Sequence, residues 1–132
     1  MLQYMLDTNI CIHVIKNYPP KLQEQFNRFA DQLCISTITL GELSFGAEKS
    51  ARRAENLRAV HQFAALLEVL PFTAKAAVQF GQVRAELERA GRPVGPYDML
   101  IAAHARSEGL IVVTNNLREF HRIPGLRTEN WV

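Results

Sequence analysis

Apolar positions follow two rhythms along this chain. Short continuous runs occur at Tyr4-Met5-Leu6, Leu33-Cys34-Ile35 and Leu110-Ile111-Val112-Val113. Runs of that length, bounded by polar or turn residues, read as strands buried on both faces. Between them, apolar residues recur at helical spacing. Leu22, Phe26, Phe29 and Ala30 form one such set, and Leu57, Val60, Phe63, Ala64 and Leu67 another. A third face carries Ala76, Ala77, Phe80, Val83, Arg84 and Leu87. Apolar positions at i, i+3, i+4 and i+7 mark amphipathic helices.

In chain order, the pattern predicts a first strand over Gln3 to Asp7 and a short helix to about Lys16. The Pro19-Pro20 pair interrupts the chain, and Pro20 suits a first helical turn. A second strand spans Leu33 to Ser36. Thr39 with Glu42 three residues on matches a capping box, which starts a helix running to about Lys49. A helix within Ala51 to Leu67 precedes a third strand, Glu68 to Pro71. Thr73 caps the next helix, and Gly91 closes it. A Gly/Pro-rich loop, Gly91-Arg92-Pro93-Val94-Gly95-Pro96, then delivers Asp98 to the start of an apolar helix that Gly109 ends. The fourth strand is Leu110 to Val113. Thr114-Asn115-Asn116 follows, then a helical turn through Phe120, and a last edge strand over Leu126 to Trp131 closes the chain. Strands alternating with helices imply an α/β fold with a mostly parallel sheet and helices on both faces. No repeat, linker or boundary divides residues 1–132, so one domain is expected.

Composition narrows this picture modestly. A chain of 132 residues can bury a core without disulfides or structural metal. Cys11 and Cys34 sit in apolar runs and read as buried free thiols. There is no zinc-type Cys/His spacing, no signal peptide and no window near the ~18 apolar residues of a membrane span. A soluble cytoplasmic protein with no membrane partner is expected. The net charge of +2 announces no partner by itself.

The chemistry lies in three acids at corresponding places. Asp7 follows the first strand, Glu42 lies in the first turn of the helix after the second strand, and Asp98 opens the helix before the fourth. In a parallel sheet the carboxyl ends of the strands share an edge where ligands bind. Clustered carboxylates repel one another and need a counter-charge, which a hard divalent cation with oxygen ligands supplies. Each acid also has a local explanation as a cap or turn residue, so their coincidence carries more than any one of them. Taking these three from the 13 acids leaves ten against 15 basic residues, a basic surround that attracts a polyanion. No phosphate loop, dinucleotide fingerprint or nucleophile elbow occurs. The four histidines, His13, His61, His104 and His121, lack metal spacing. Arg84, Arg92, Arg106, Arg118, Arg122 and Arg127 leave arginine as the long cation of the last third, well suited to phosphate. Tyr97, Phe120 and Trp131 are candidates for base stacking or for the core.

Met5-Leu6-Asp7-Thr8-Asn9, Thr39 to Leu43 with Glu42, Gly91 to Gly95 before Asp98, and Val113-Thr114-Asn115-Asn116 with Arg118-Glu119-Phe120 together resemble a PIN-domain ribonuclease. The resemblance spans essentially the whole chain and is nearest to the VapC toxins of VapBC toxin–antitoxin modules, especially the enterobacterial type. It implies a three-layer α/β/α fold and a Mg²⁺-dependent endoribonuclease, with Mn²⁺ as an alternative ion. By the same resemblance Asp7, Glu42 and Asp98 are the acidic metal-site residues, with Asp7 and Asp98 the direct ligands and Thr8 orienting the site. Asn116 stands where the family often has a fourth acid, which puts a second metal in doubt, and Glu119 lies one helical turn later. The resemblance further implies a VapB antitoxin that blocks the cleft, a homodimer, operator DNA bound only through the antitoxin, and a tRNA anticodon loop as substrate, initiator tRNA first. Two other classes compete: a non-catalytic RNA- or partner-binding module, motivated by the neutral Asn116, and a Mg²⁺-dependent phosphatase with Asp7 as nucleophile. That phosphatase chemistry usually wants an acid where Asn9 stands.

Overall fold

The computed structural model describes all of residues 1–132. Its sheet has five strands, β1 (Tyr4–Leu6), β2 (Leu33–Ser36), β3 (Glu68–Leu70), β4 (Ile111–Val113) and β5 (Thr128–Glu129). Their order across the sheet is β3-β2-β1-β4-β5. Every pairing is parallel, with Met5 opposite both Cys34 and Val112. The chain moves outward from β1 on one side, then returns to build the other side from β4. The reversal between β1 and β4 is the switch point at which open α/β sheets form a crevice.

Alternation along the strands sorts the core into two layers. Leu6, Leu33, Ile35 and Val113 face one layer, while Met5, Cys34 and Val112 face the other. The first layer is covered by α1 (Thr8–Ile15), α2 (Pro20–Arg28), α3 (Thr37–Glu48) and α4 (Arg53–Ala64). They contribute, among others, Ile10, Leu22, Phe26, Leu43 and Phe63. The second is covered by α5 (Ala74–Ala90), α6 (Pro96–Glu108) and α7 (Leu117–Phe120), through Val83, Leu87, Ile101 and Phe120. This is the expected three-layer α/β/α arrangement. Burial on both faces is why the central strands read as unbroken apolar runs.

Local signals mostly act as anticipated. Thr73 caps α5 by accepting from the Ala76 N–H at 3.3 Å. Gly91 and Gly109 end α5 and α6 in the left-handed region, at φ 65° and 68°, where a side chain would be strained. Cys11 and Cys34 are buried free thiols. Burial pushes the Cys34 thiol up to about 12 and Cys11 higher than its ordinary value, so neither is a reactive thiolate. His104 is also fully buried and takes no site role. Its Nδ1 lies 2.8 Å from the Ser36 hydroxyl, and its ring meets Phe72 edge-on. Burial lowers its pKa and keeps the ring neutral.

Three expectations change. The expected capping box at Thr39 and Glu42 does not form, because α3 begins three residues earlier. The Ser36 hydroxyl, at the very end of β2, accepts from the Ile38 N–H at 3.0 Å and caps the helix instead. Glu42 therefore lies in the second turn, not the first. The last strand shrinks from Leu126–Trp131 to Thr128–Glu129, because Trp131 leaves the sheet edge for the core. There its indole stacks on Phe29 at 5.5 Å and meets Tyr4 edge-on at 5.0 Å. The first strand likewise stops at Leu6, one residue short, because Asp7 turns to cap α1.

Trp131 thus ties the C-terminal segment to β1. Replacement by alanine is expected to cost about 3–5 kcal/mol in urea unfolding, the range for a buried large aromatic. Tyr97→Ala, at a side chain 56% exposed, should stay within about 0.5 kcal/mol. Equal losses in the two variants would contradict this packing.

Candidate active site

Asp7 is placed by two contacts that use its two oxygens separately. As N-cap of α1, its Oδ1 accepts from the Ile10 N–H at 2.9 Å. Its Oδ2 accepts from the Thr114 hydroxyl, at the end of β4, at 2.6 Å. Thr114 Oγ1 in turn accepts from the Asn116 N–H at 2.8 Å. The carboxylate is therefore clamped across the β1/β4 switch point, and only 2% of Asp7 is exposed. The cap reading and the site reading of Asp7 hold together, one oxygen for each.

Glu42 reaches the same edge from α3. The Thr8 hydroxyl, at the first position of α1, donates to its Oε1 at 2.5 Å. Thr39, one turn before Glu42 and fully buried, lies beside the same hydroxyl at 3.4 Å. The other Glu42 oxygen, Oε2, takes no hydrogen bond from the protein. Thr8 thus orients an acid of the site, Glu42.

Asp98 is the third residue of α6. The helix follows directly on Gly95 and Pro96, and a Cβ added at Gly95 would come 4.0 Å from Asp98 Oδ2. Across from it, the Asn116 side-chain amide donates to Glu119 Oε2 at 2.6 Å and approaches Asp98 Oδ2 at 3.5 Å. Both neighbours are carboxylates, which only accept, so the N–H₂ side of the amide faces them. Asn116 therefore acts here as a donor bridging two acids, and its amide oxygen is turned away from them. The sequence favours Glu119 as an exposed helix residue over a substitute for the missing acid; in the fold it is half-buried and lies with the acidic group.

The electrostatics match this geometry. The ion pairs of the molecule all lie elsewhere, and none involves Asp7, Glu42, Asp98 or Glu119. Burial, then the charges of Asp7 and Glu119, push the Asp98 carboxyl up to about 6, with Glu42 adding to the effect. Burial also raises Asp7, against the hydrogen bonds from Thr114 and the Ile10 N–H. The donors are all hard oxygens carrying uncompensated negative charge, which fits Mg²⁺ or Mn²⁺. No three histidine, cysteine or acidic side chains close on a single point as a finished cage would require. That openness suits Mg²⁺, which is held by one or two carboxylates and keeps several waters.

Sequence reasoning passed over Thr114 and Thr39 as site residues. Their signal was a small hydroxyl residue at the exit of a strand and one turn before an acid, too common a pattern to notice without the fold. The aromatic candidates divide: Phe120 and Trp131 are core residues, while Tyr97 is exposed beside Asp98.

The comparisons with known proteins agree with this fold. The PIN domain family profile matches residues 4–126. The chain belongs to the PIN-domain family. Within it, the chain is 58% identical to the tRNA(fMet)-specific endonuclease VapC of Salmonella typhimurium, over 99% of each sequence. It superposes with a TM-score of 0.97 on the VapC-like chain of a DNA-bound VapBC crystal structure from the same organism, at 57% identity and 100% coverage of both chains. VapBC2 from Rickettsia felis, bound to a DNA fragment from its promoter, follows at a TM-score of 0.94 and 39% identity, with 99% of this chain and 100% of that one covered. The expected fold class and family are borne out.

The raised Asp98 pKa makes a signed prediction for metal-free protein. A folded-state pKa of about 6 against an ordinary 3.8 gives a stabilising contribution that is complete below 3.8 and lost as pH rises through about 6. Asp98→Asn removes this penalty. In urea unfolding with EDTA, the variant should gain on the parent chain across that window and be the more stable at neutral pH. His104 titrates in both proteins and cancels. Excess Mn²⁺ should stabilise the parent more than the variant. A difference independent of pH would show that burial and the acidic neighbours do not raise Asp98.

Proposed function

We propose that residues 1–132 act as a single PIN domain and as the toxin of a VapBC-type module, a divalent-metal-dependent endoribonuclease. The observation that carries this is the set of four carboxylates, Asp7, Glu42, Asp98 and Glu119, gathered without a cationic partner at the carboxyl edge of the sheet. Asp7 and Asp98 would hold the ion, with Glu42 beside them. When bound, Mg²⁺ or Mn²⁺ supplies a Lewis acid for a phosphoryl oxygen and makes a water more acidic.

The chain's own residues supply position and proton handling. Thr114 and the Ile10 N–H fix both oxygens of Asp7, so the carboxylate needs no rearrangement to serve. Thr8 holds one oxygen of Glu42 and leaves Oε2 to accept a proton from the attacking water. Asn116 holds Glu119 against Asp98 and keeps that side of the cleft in register. Neutral Asn116 removes one charge from the family's usual set, and Glu119 restores a carboxylate nearby.

The substrate reading is a tRNA anticodon loop, with initiator tRNA first, supported by the printed activity of the Salmonella relative. A single-stranded loop presents an accessible backbone and splayed bases, which an open edge site requires. The VapBC complexes among the structural relatives support a VapB-like antitoxin as partner, with operator DNA reached through it. The chain would work as a homodimer in the cytoplasm; no helix is long and apolar enough to cross a membrane.

Cleavage of a total-tRNA pool tests the reading. Mg²⁺ or Mn²⁺ should yield discrete fragments, and EDTA or Asp7→Asn should abolish them. Thr114→Val leaves every acid in place but frees Asp7 Oδ2, and should cost about 10–100-fold in metal affinity or activity, as loss of a ligand-orienting hydrogen bond does. RNA bound but uncut by folded protein, with metal present and across a wider RNA panel, would favour a non-catalytic binding module. A covalent phosphoenzyme at Asp7 would favour the phosphatase.

A further inference from the structure

Four carboxylates repel the very polymer such a site must receive, so something beside them has to hold the strand. α7 separates the two kinds of charge. Glu119 sits on the side of Asn116 and Asp98, while Arg118, with His121 and Arg122 just beyond the helix, faces a different cavity. The loop between α5 and α6 brings Arg92 and Pro93 to the opposite wall. The cavity measures about 390 Å³ and has no carboxylate and no large apolar side chain among its walls.

Its arginines lack the carboxylate partner that five other long cations of the chain have. Arg52, Arg53, Lys75, Arg84 and Arg106 each lie within 4.0 Å of a glutamate. Arg106 also binds Gln79 and the Pro124 carbonyl, and Arg127 donates to the Gly109 carbonyl at 2.6 Å. Arg92, Arg118 and Arg122 have no carboxylate partner. The Arg92 and Arg118 side chains make no hydrogen bond within the molecule, whereas Arg122 Nη1 donates to the Pro93 carbonyl. That bond joins the two walls. Buried Phe120 and Val94 anchor α7 and the loop behind it, so the cationic walls stand on packed backbone.

We propose that this cavity binds a backbone phosphate of the RNA strand, flanking the phosphodiester presented to the acids. Arg92 and Arg118 contact the phosphate and Arg122 frames it. This rests on the ribonuclease reading for its substrate class, and on unpaired charge and shape for its place. Guanidinium groups match phosphate oxygens in fork geometry, which lysine cannot do. Arg118 and Glu119 are consecutive, so a strand gripped at one is delivered to the other within a few nucleotides. The cavity thereby supplies the register in which the cleft meets the chain.

The test is binding of a short fluorescein-labelled single-stranded RNA to the whole chain in EDTA, where no cleavage occurs, over a salt series. Arg92→Gln/Arg118→Gln should weaken binding by about 10-fold or more and lower the slope of log K against log salt by about 0.7, the contribution of the one phosphate charge that goes unneutralised. Arg58→Gln removes an exposed arginine on α4 and should leave the slope unchanged. The Arg92 and Arg118 side chains hold nothing in the fold, and equal urea midpoints would confirm that their variants are intact. An unchanged slope in the double variant, or an equal change in Arg58→Gln, would overturn the proposal. The outcome separates from the activity reading. Parent protein that cuts tRNA while the double variant keeps its slope removes the phosphate site alone. A lowered slope without any tRNA cleavage keeps the phosphate site and removes the nuclease.

Discussion

Mutual repulsion among Asp7, Glu42, Asp98 and Glu119 is the constraint around which this molecule is arranged. Four acids at one sheet edge cost stability, and no arginine or lysine is spent on relieving it. Relief comes instead from neutral donors. Thr114 and a helix N–H hold Asp7, Thr8 holds Glu42, and Asn116 lies between Glu119 and Asp98. These contacts fix positions without cancelling charge, which leaves the negative potential available to a cation. Buried carboxylates with shifted pKa values and no structural partner are a mark of functional sites, because a purely structural network would have been neutralised.

The topology makes such a gathering possible. Asp7 and Thr114 are 107 residues apart in sequence, yet they close the crevice between β1 and β4. Glu42 and Asp98 arrive from helices on opposite faces of the sheet, which places the site across all three layers. The rigidity of that frame comes from ordinary sources: strands buried on both faces, and the Trp131 contact that pins the C-terminal segment to β1. Function at the edge depends on packing well away from it.

Much of this was legible in the residues because two-sided burial leaves unmistakable apolar runs at β1, β2 and β4. The acids were legible too, since Asp7 and Asp98 occupy positions that any parallel α/β fold brings to one edge. What escaped was tertiary in origin. Ser36 both ends β2 and caps α3, and Thr39 with Glu42 offered a competing local motif that fitted equally well. The six-residue run at the C-terminus looked like a strand, but the pull of Tyr4 and Phe29 on Trp131 shortened it. Thr114 and the donor role of Asn116 had no local signature at all, because each is defined by partners distant in sequence or across the cleft. The resemblance to VapC toxins named three acids that the fold brings to one edge; the hydroxyl clamps around them emerged only with the fold.

The most direct test of the central claim is an anomalous difference map from a crystal of the chain soaked in Mn²⁺. The account predicts a peak within coordination distance of carboxylate oxygens of both Asp7 and Asp98, with Glu42 facing it. A fully occupied Mn²⁺ bound elsewhere, or no peak at this edge under saturating Mn²⁺, would contradict it.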